Sequence, residues 1–230
     1  MNLLHLTVCA LVIYCSAFWT PSQGKAQPPP LAGAAPAQPA ITDKLLTRRN
    51  FYVVFDGSGS MNESRCAGFS TKIKVAKKAV KEFERCLKPE DNIALIVFDG
   101  RGVAERVPLG HDNRARFEQE IDAVEANQST PLYQSIGLAF EGLKRQMTRQ
   151  LNYGEYHLVV VTDGEATDSE GGVIERINRT PVILHTIGFC IGPGHSLNQP
   201  GKTYYADAQN PEAVKKGLQG VLAESARFGN

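Results

Sequence analysis

The pentad Asp56-Gly57-Ser58-Gly59-Ser60 leaves the apolar run Phe51-Tyr52-Val53-Val54-Phe55 and places one carboxylate and two hydroxyls within five residues. Its two glycines let the backbone turn sharply, so these three side chains can face a common centre. Carboxylate and hydroxyl oxygens are hard donors, suited to Mg²⁺ or Mn²⁺ rather than to zinc. An octahedral cation needs more oxygens than one loop offers. Two later segments can supply them: Ser129-Thr130-Pro131-Leu132, with Thr130 just ahead of a proline at a helix start, and Thr162-Asp163-Gly164-Glu165, with Asp163 at the end of an apolar strand. Asp56, Ser58, Ser60, Thr130 and Asp163 are therefore the candidate metal ligands, and the chemistry they suggest is cation binding.

The elements that must hold these residues can be read from the hydropathy pattern. Continuous apolar runs occur at residues 51–55, 93–98, 157–162 and 182–189, and helical patterns lie at 71–87, 114–124, 131–147 and 172–178. Strands that are apolar throughout, rather than alternating, are buried on both faces. Their alternation with helices predicts an α/β fold: a doubly wound, mainly parallel sheet with helices on both faces. Residues 102–108 follow the second strand closely enough to return as a short antiparallel edge strand, 203–206 form a weaker last strand, and Asn210-Pro211-Glu212 opens a final helix to about residue 224. In such sheets ligands bind beyond the carboxyl ends of the strands, where Asp56 and Asp163 both stand.

The sequence D-x-S-x-S, then threonine before proline, then T-D-G resembles the metal-ion-dependent adhesion site of von Willebrand factor A (vWA) domains, and the likeness runs from about Asn50 to Ser225. Gln128-Ser129 stands where many members have glycine ahead of the threonine. The resemblance implies direct metal contacts from Ser58 and Ser60. Asp56, Thr130 and Asp163 would bind directly or through water. It also implies a Rossmann-like fold, Mg²⁺ or Mn²⁺ as cofactor, and a protein ligand that completes the metal shell with an Asp or Glu carboxylate. The loops 62–70, 111–116, 166–171 and 192–200 are expected to form the rim that gives specificity.

Two other functions use a similar scaffold. A magnesium-dependent hydrolase would want an acid two residues after Asp56, where Ser58 stands, and no second metal cluster or placed base is visible. No Gly-x-Ser-x-Gly occurs at Ser58, and Ser196 to Thr203 lacks the opening glycine of a phosphate loop. The expectation is a binding module without catalysis. An accessory subunit of an ATP-driven assembly or chelatase machine is the further alternative, and an export signal argues against it. His111 and Asp112 read as solvent-facing, His195 as an unassigned loop residue, His185 as a core histidine, and Asp168 and Glu170 as surface acids.

With 25 basic and 24 acidic residues the formal charge is +1, and removal of residues 1–26 takes away only Lys25. That balance gives no reason to expect nucleic acid. Lys72, Lys74, Lys77, Lys78 and Lys81, with Glu82 and Glu84 beside them, read as one solvated helix face. Leu3 to Trp19 is an apolar run followed by small residues at Gly24 and Ala26, which reads as a cleaved signal over residues 1–26; an uncleaved anchor through residues 3–19 is the alternative. Residues 27–40 are rich in proline and alanine and form an extended linker, leaving 41–230 as the vWA domain. The protein is thus expected to be exported, periplasmic or secreted, or else membrane-anchored by that N-terminal segment. Of the cysteines beyond the leader, Cys66 follows the metal loop and Cys190 follows a strand on the same face of the sheet, so these two are the expected disulfide. Three unpaired thiols are the alternative.

Overall fold

The computed structural model describes residues 43–127 and 129–227; the leader, the anchor reading and the linker lie outside them. The elements follow in the order α1 (Asp43–Leu46), β1 (Arg49–Asp56), a 3-10 turn (Gly59–Asn62), α2 (Lys72–Arg85), β2 (Asn92–Asp99), β3 (Gly102–Gly110), α3 (Arg114–Asp122), α4 (Leu132–Arg149), β4 (Glu155–Thr162), α5 (Val173–Asn178), β5 (Val182–Phe189), β6 (Tyr204–Ala208) and α6 (Pro211–Arg227). One sheet runs β3-β2-β1-β4-β5-β6, parallel throughout except for antiparallel β3 at the edge. No helix among the described residues is long and apolar enough to cross a membrane.

The continuous apolar strands are explained by the two layers they separate. Along β1, Phe51, Val53 and Phe55 pack with Ile73, Val80 and Phe83 of α2, Phe117 and Ile121 of α3, and Val214 and Leu218 of α6. Tyr52 and Val54 point the other way, into a second core with Ile136, Phe140 and Leu143 of α4 and Ile174 and Ile177 of α5. Each strand residue is therefore buried whichever way it points, which is why polarity does not alternate.

Antiparallel β3 is longer than the short strand expected and ends at Gly110, paired with Ile93 near the start of β2. The pairing direction corrects the expected rim. Loop 111–116 is carried to the amino ends of the parallel strands, where His111 Nδ1 lies 3.1 Å from Arg48 Nη1 and is remote from Asp56. Pro108 sits in β3, where an edge position tolerates its missing N–H.

A ladder of flat side chains crosses the sheet on one face: Phe51 stacks on His157 at 4.8 Å, His157 on His185 at 5.4 Å, and His185 on Tyr204 at 5.3 Å. His185 is buried, as expected for a core histidine, and His157 Nδ1 lies 3.2 Å from its Nε2. Burial, and secondarily the neighbouring His157, pushes the His185 pKa down to about 3. The folded chain therefore keeps His185 neutral while the unfolded chain takes up a proton below its ordinary pKa of 6.5. This contribution to stability is complete above pH 6.5 and is lost as pH falls towards 3, by about 1.4 kcal/mol per pH unit. Urea unfolding at pH 6.5 and pH 5 is expected to show His185→Gln losing about 2 kcal/mol less than the parent over that interval. Equal losses in the two proteins would assign the acid sensitivity to other groups.

Candidate functional site

The carboxyl end of β1 and the carboxyl end of β4 are adjacent because these strands pair in parallel, with Phe55 opposite Val161. That register delivers Asp56 and Asp163 to one end of the sheet. Gly57 then turns the chain against β2: its N–H donates to Phe98 O at 2.8 Å, and its carbonyl accepts from Asn127 N at 3.0 Å. A side chain here would meet Phe98 O at 2.7 Å and Asp99 Cβ at 2.8 Å, so the first glycine of the pentad is required by close approach.

All five predicted residues come together. Ser58 Oγ is 3.1 Å from Ser60 Oγ, and Ser60 Oγ donates to Asp163 Oδ1 at 2.7 Å. A Cβ built on Gly164 would lie 3.6 Å from Thr130 Oγ1 and 3.9 Å from Ser60 Oγ, which brings the third loop to the same place. Asp56 is fully buried; Ser58 N donates to its Oδ1 at 2.7 Å and Thr162 Oγ1 to its Oδ2 at 2.5 Å. Burial raises the Asp56 pKa to about 6, against these bonds and with help from the charge on Asp163. Its negative charge is thus held by neutral donors alone among those contacts.

Residues not assigned to the site by sequence also converge on it. Lys72, expected on a solvated face, is buried at the first turn of α2, and its Nζ donates to Asp163 Oδ2 at 2.8 Å and Glu63 Oε2 at 3.0 Å. Burial alone would lower the Lys72 pKa, but its two carboxylate partners outweigh that and raise it. Lys77 also departs from the expected solvated face, donating to the carbonyls of Asp122 and Val124, whereas Lys74 and Lys78 are exposed.

Asp168 is not a free surface acid: its carboxylate accepts from Tyr133 N at 3.1 Å and Gln134 N at 2.7 Å, capping α4 from across the site. Thr167 N donates to Thr130 O at 2.9 Å, so the Thr130 and Asp163 loops are joined directly. His195 is buried and buttresses the Asp163 loop. Its Nδ1 accepts from Leu197 N at 3.0 Å, so its Nε2 carries the proton donated to Gly164 O, also at 3.0 Å. The expected disulfide is present: Cys66, in the loop before α2, is bonded to Cys190, just after β5, and Cys86 is a free exposed thiol.

Two carboxylates and three hydroxyls from three loops fit a hard cation such as Mg²⁺ or Mn²⁺ by donor type. Among the described residues no group of three or more His, Cys, Asp and Glu could hold a metal ion, so a cation here would depend on the hydroxyls as well as the carboxylates.

A six-stranded doubly wound sheet with one antiparallel edge, carrying this Asp-Ser-Ser, Thr and Asp constellation at the ends of β1 and β4, defines an A-type domain. The family model of the von Willebrand factor type A domain matches residues 51–165, and the chain belongs to that family. It is 39% identical over 170 residues to the uncharacterized protein YwmD of Bacillus subtilis (strain 168), spanning 66% of this chain and 73% of that protein. Among solved structures, the von Willebrand factor type A protein from Catenulispora acidiphila aligns with a TM-score of 0.61 at 16% identity, covering 78% of this chain and 43% of that one. Manganese-loaded Plasmodium vivax TRAP aligns with a TM-score of 0.51 at 16% identity, covering 75% of this chain and 74% of that one. These two likenesses establish the fold.

Proposed function

We propose that this domain is an exported, divalent-cation-dependent protein-binding module. The observation that carries the proposal is the convergence of Asp56, Ser58, Ser60, Thr130 and Asp163 at one end of the sheet, tied by the 3.1 Å Ser58–Ser60 and 2.7 Å Ser60–Asp163 contacts. These five residues would hold Mg²⁺ or Mn²⁺, the latter being the ion carried by the structurally similar Plasmodium vivax TRAP. When bound, the cation supplies positive charge and a coordination position open to an Asp or Glu carboxylate of the partner. The serine hydroxyls can donate to Asp163 and still offer oxygen lone pairs to a cation.

The surroundings favour binding over catalysis. Both nitrogens of His195 are engaged by backbone groups, so this histidine is not poised as a base for Ser58. Phe69 is fully exposed on the loop between the 3-10 turn and α2 and offers the apolar contact that a protein partner would cover. The Cys66–Cys190 bridge, together with the apolar leader at residues 3–19, supports an oxidising, exported location.

Isothermal titration of Mg²⁺ and Mn²⁺ into the purified chain tests this reading. Binding is expected in the parent, with affinity lowered by about tenfold or more in Asp56→Asn and in Thr130→Ala. Circular dichroism should show both variants folded. Partner capture should be lost in EDTA and return with Mg²⁺. Absence of cation binding in the folded parent would refute the proposal.

A further inference from the structure

The geometry points to Lys72 as a built-in counter-cation that competes with the divalent ion for Asp163 and so sets the affinity of the site. This inference rests on the cation-binding role proposed above. It starts from how the Asp163 carboxylate is divided. Its Oδ1 faces the serines, at 2.7 Å from Ser60 Oγ and 3.5 Å from Ser58 Oγ, while its Oδ2 takes the Lys72 ammonium at 2.8 Å. One oxygen is thus turned towards the proposed cation position and the other towards a fixed positive charge.

The Lys72 and Asp163 side chains are only 4% and 0% exposed, so water does little to screen this pair. Glu63, the other partner of Lys72, has a side chain 60% exposed, so solvent screens its charge. The buried charges at the site are therefore two carboxylates, Asp56 and Asp163, and one ammonium. A dication entering beside Asp163 must share that carboxylate with Lys72 and is repelled by the ammonium at short range. An apolar residue of similar length at position 72 would leave both carboxylates to the dication. Glu63 acts in the opposite sense to Lys72, because its charge offsets part of the ammonium.

Titration of Mn²⁺ alone into the full chain, followed by calorimetry and by thermal unfolding with and without EDTA, tests the assignment. Lys72→Met is expected to bind Mn²⁺ about tenfold or more tightly than the parent, while Lys72→Arg, which keeps the charge, stays within about threefold. Glu63→Gln, at an exposed position, should bind about threefold more weakly. In EDTA, Lys72→Met should unfold at a lower temperature than the parent, and Mn²⁺ should raise its unfolding temperature by more than it raises the parent's. Should Lys72→Met fail to fold, the Glu63→Gln change carries the test, and an affinity equal to or above the parent's refutes the inference. Unchanged Mn²⁺ affinity in a folded Lys72→Met variant would reduce Lys72 to a structural ion pair and leave the cation site standing. No binding in the folded parent would overturn the cation site itself, whereas binding in the parent that tightens in Lys72→Met would support the competition directly.

Discussion

Replacing Cys66 and Cys190 together by alanine is expected to lower the unfolding free energy by about 3–5 kcal/mol, with Cys86→Ala near neutral as the control. The bridge joins residues 124 apart in sequence. Closing a loop of that length removes a large share of the unfolded chain's freedom, which by loop entropy alone amounts to about 4–5 kcal/mol. The native side is well supported: Arg65 Nη2 donates to Cys190 O at 2.9 Å, and Cys190 N donates to Ala208 O at 2.8 Å, so the bridged strand end stays in place. Urea unfolding of the parent, the double variant and the parent in reductant measures the effect. Reduction should bring the parent close to the double variant. A difference below about 1 kcal/mol would mean that the bridge does not form in solution or does not restrain the unfolded chain.

Asp163→Ala is the second change with a large expected effect, about 3 kcal/mol in EDTA. Removing this carboxylate leaves the Lys72 ammonium, with its side chain 4% exposed, dependent on Glu63 alone. Breaking a buried ion pair from one side costs about 3–5 kcal/mol because the remaining charge stays desolvated; the surviving Glu63 contact places this case at the lower end. Asp163→Asn keeps a single oxygen, which can serve Lys72 while the amide N–H turns to Ser60 Oγ, but loses the charge, so it should cost roughly half as much. The double variant Lys72→Met with Asp163→Ala should be more stable than the sum of the single changes implies, by at least about 1 kcal/mol. Additive losses would show that the two residues act independently.

Each effect depends on contacts that differ in how far they could be read from the chain. The strands were legible because residues such as Phe51 to Phe55 are apolar on both faces, and burial between two helical layers is the condition that writes such a run. The five oxygen-bearing residues were legible because local turns and strand ends place them, and parallel pairing of β1 with β4 follows from the alternating pattern. The Cys66–Cys190 pairing was also within reach, since each cysteine lies just beyond an element that ends at the same side of the sheet.

Lys72 was not legible. It lies 91 residues from Asp163, and a lysine at the first turn of an amphipathic helix has the same local sequence signature whether its ammonium meets water or a buried carboxylate. Asp168 and His195 were missed for the same reason: their partners are backbone groups of α4 and of the Asp163 loop, which carry no side-chain signature. Loop 111–116 was misplaced because its end of the sheet depends on the direction of β3, and hydropathy reports that a segment is a strand but not which way it pairs.

The sequence by itself determined the layered fold and which oxygens gather at the ends of β1 and β4, because local periodicity and turn chemistry control those features. For the cysteines it left a Cys66–Cys190 bridge or unpaired thiols, and the structure decided for the bridge. Only the tertiary structure decided which charges share the space at those strand ends. Burial of Lys72 against Asp163 is a property of two distant segments packed together, and electrostatic strength depends on that packing rather than on residue type alone.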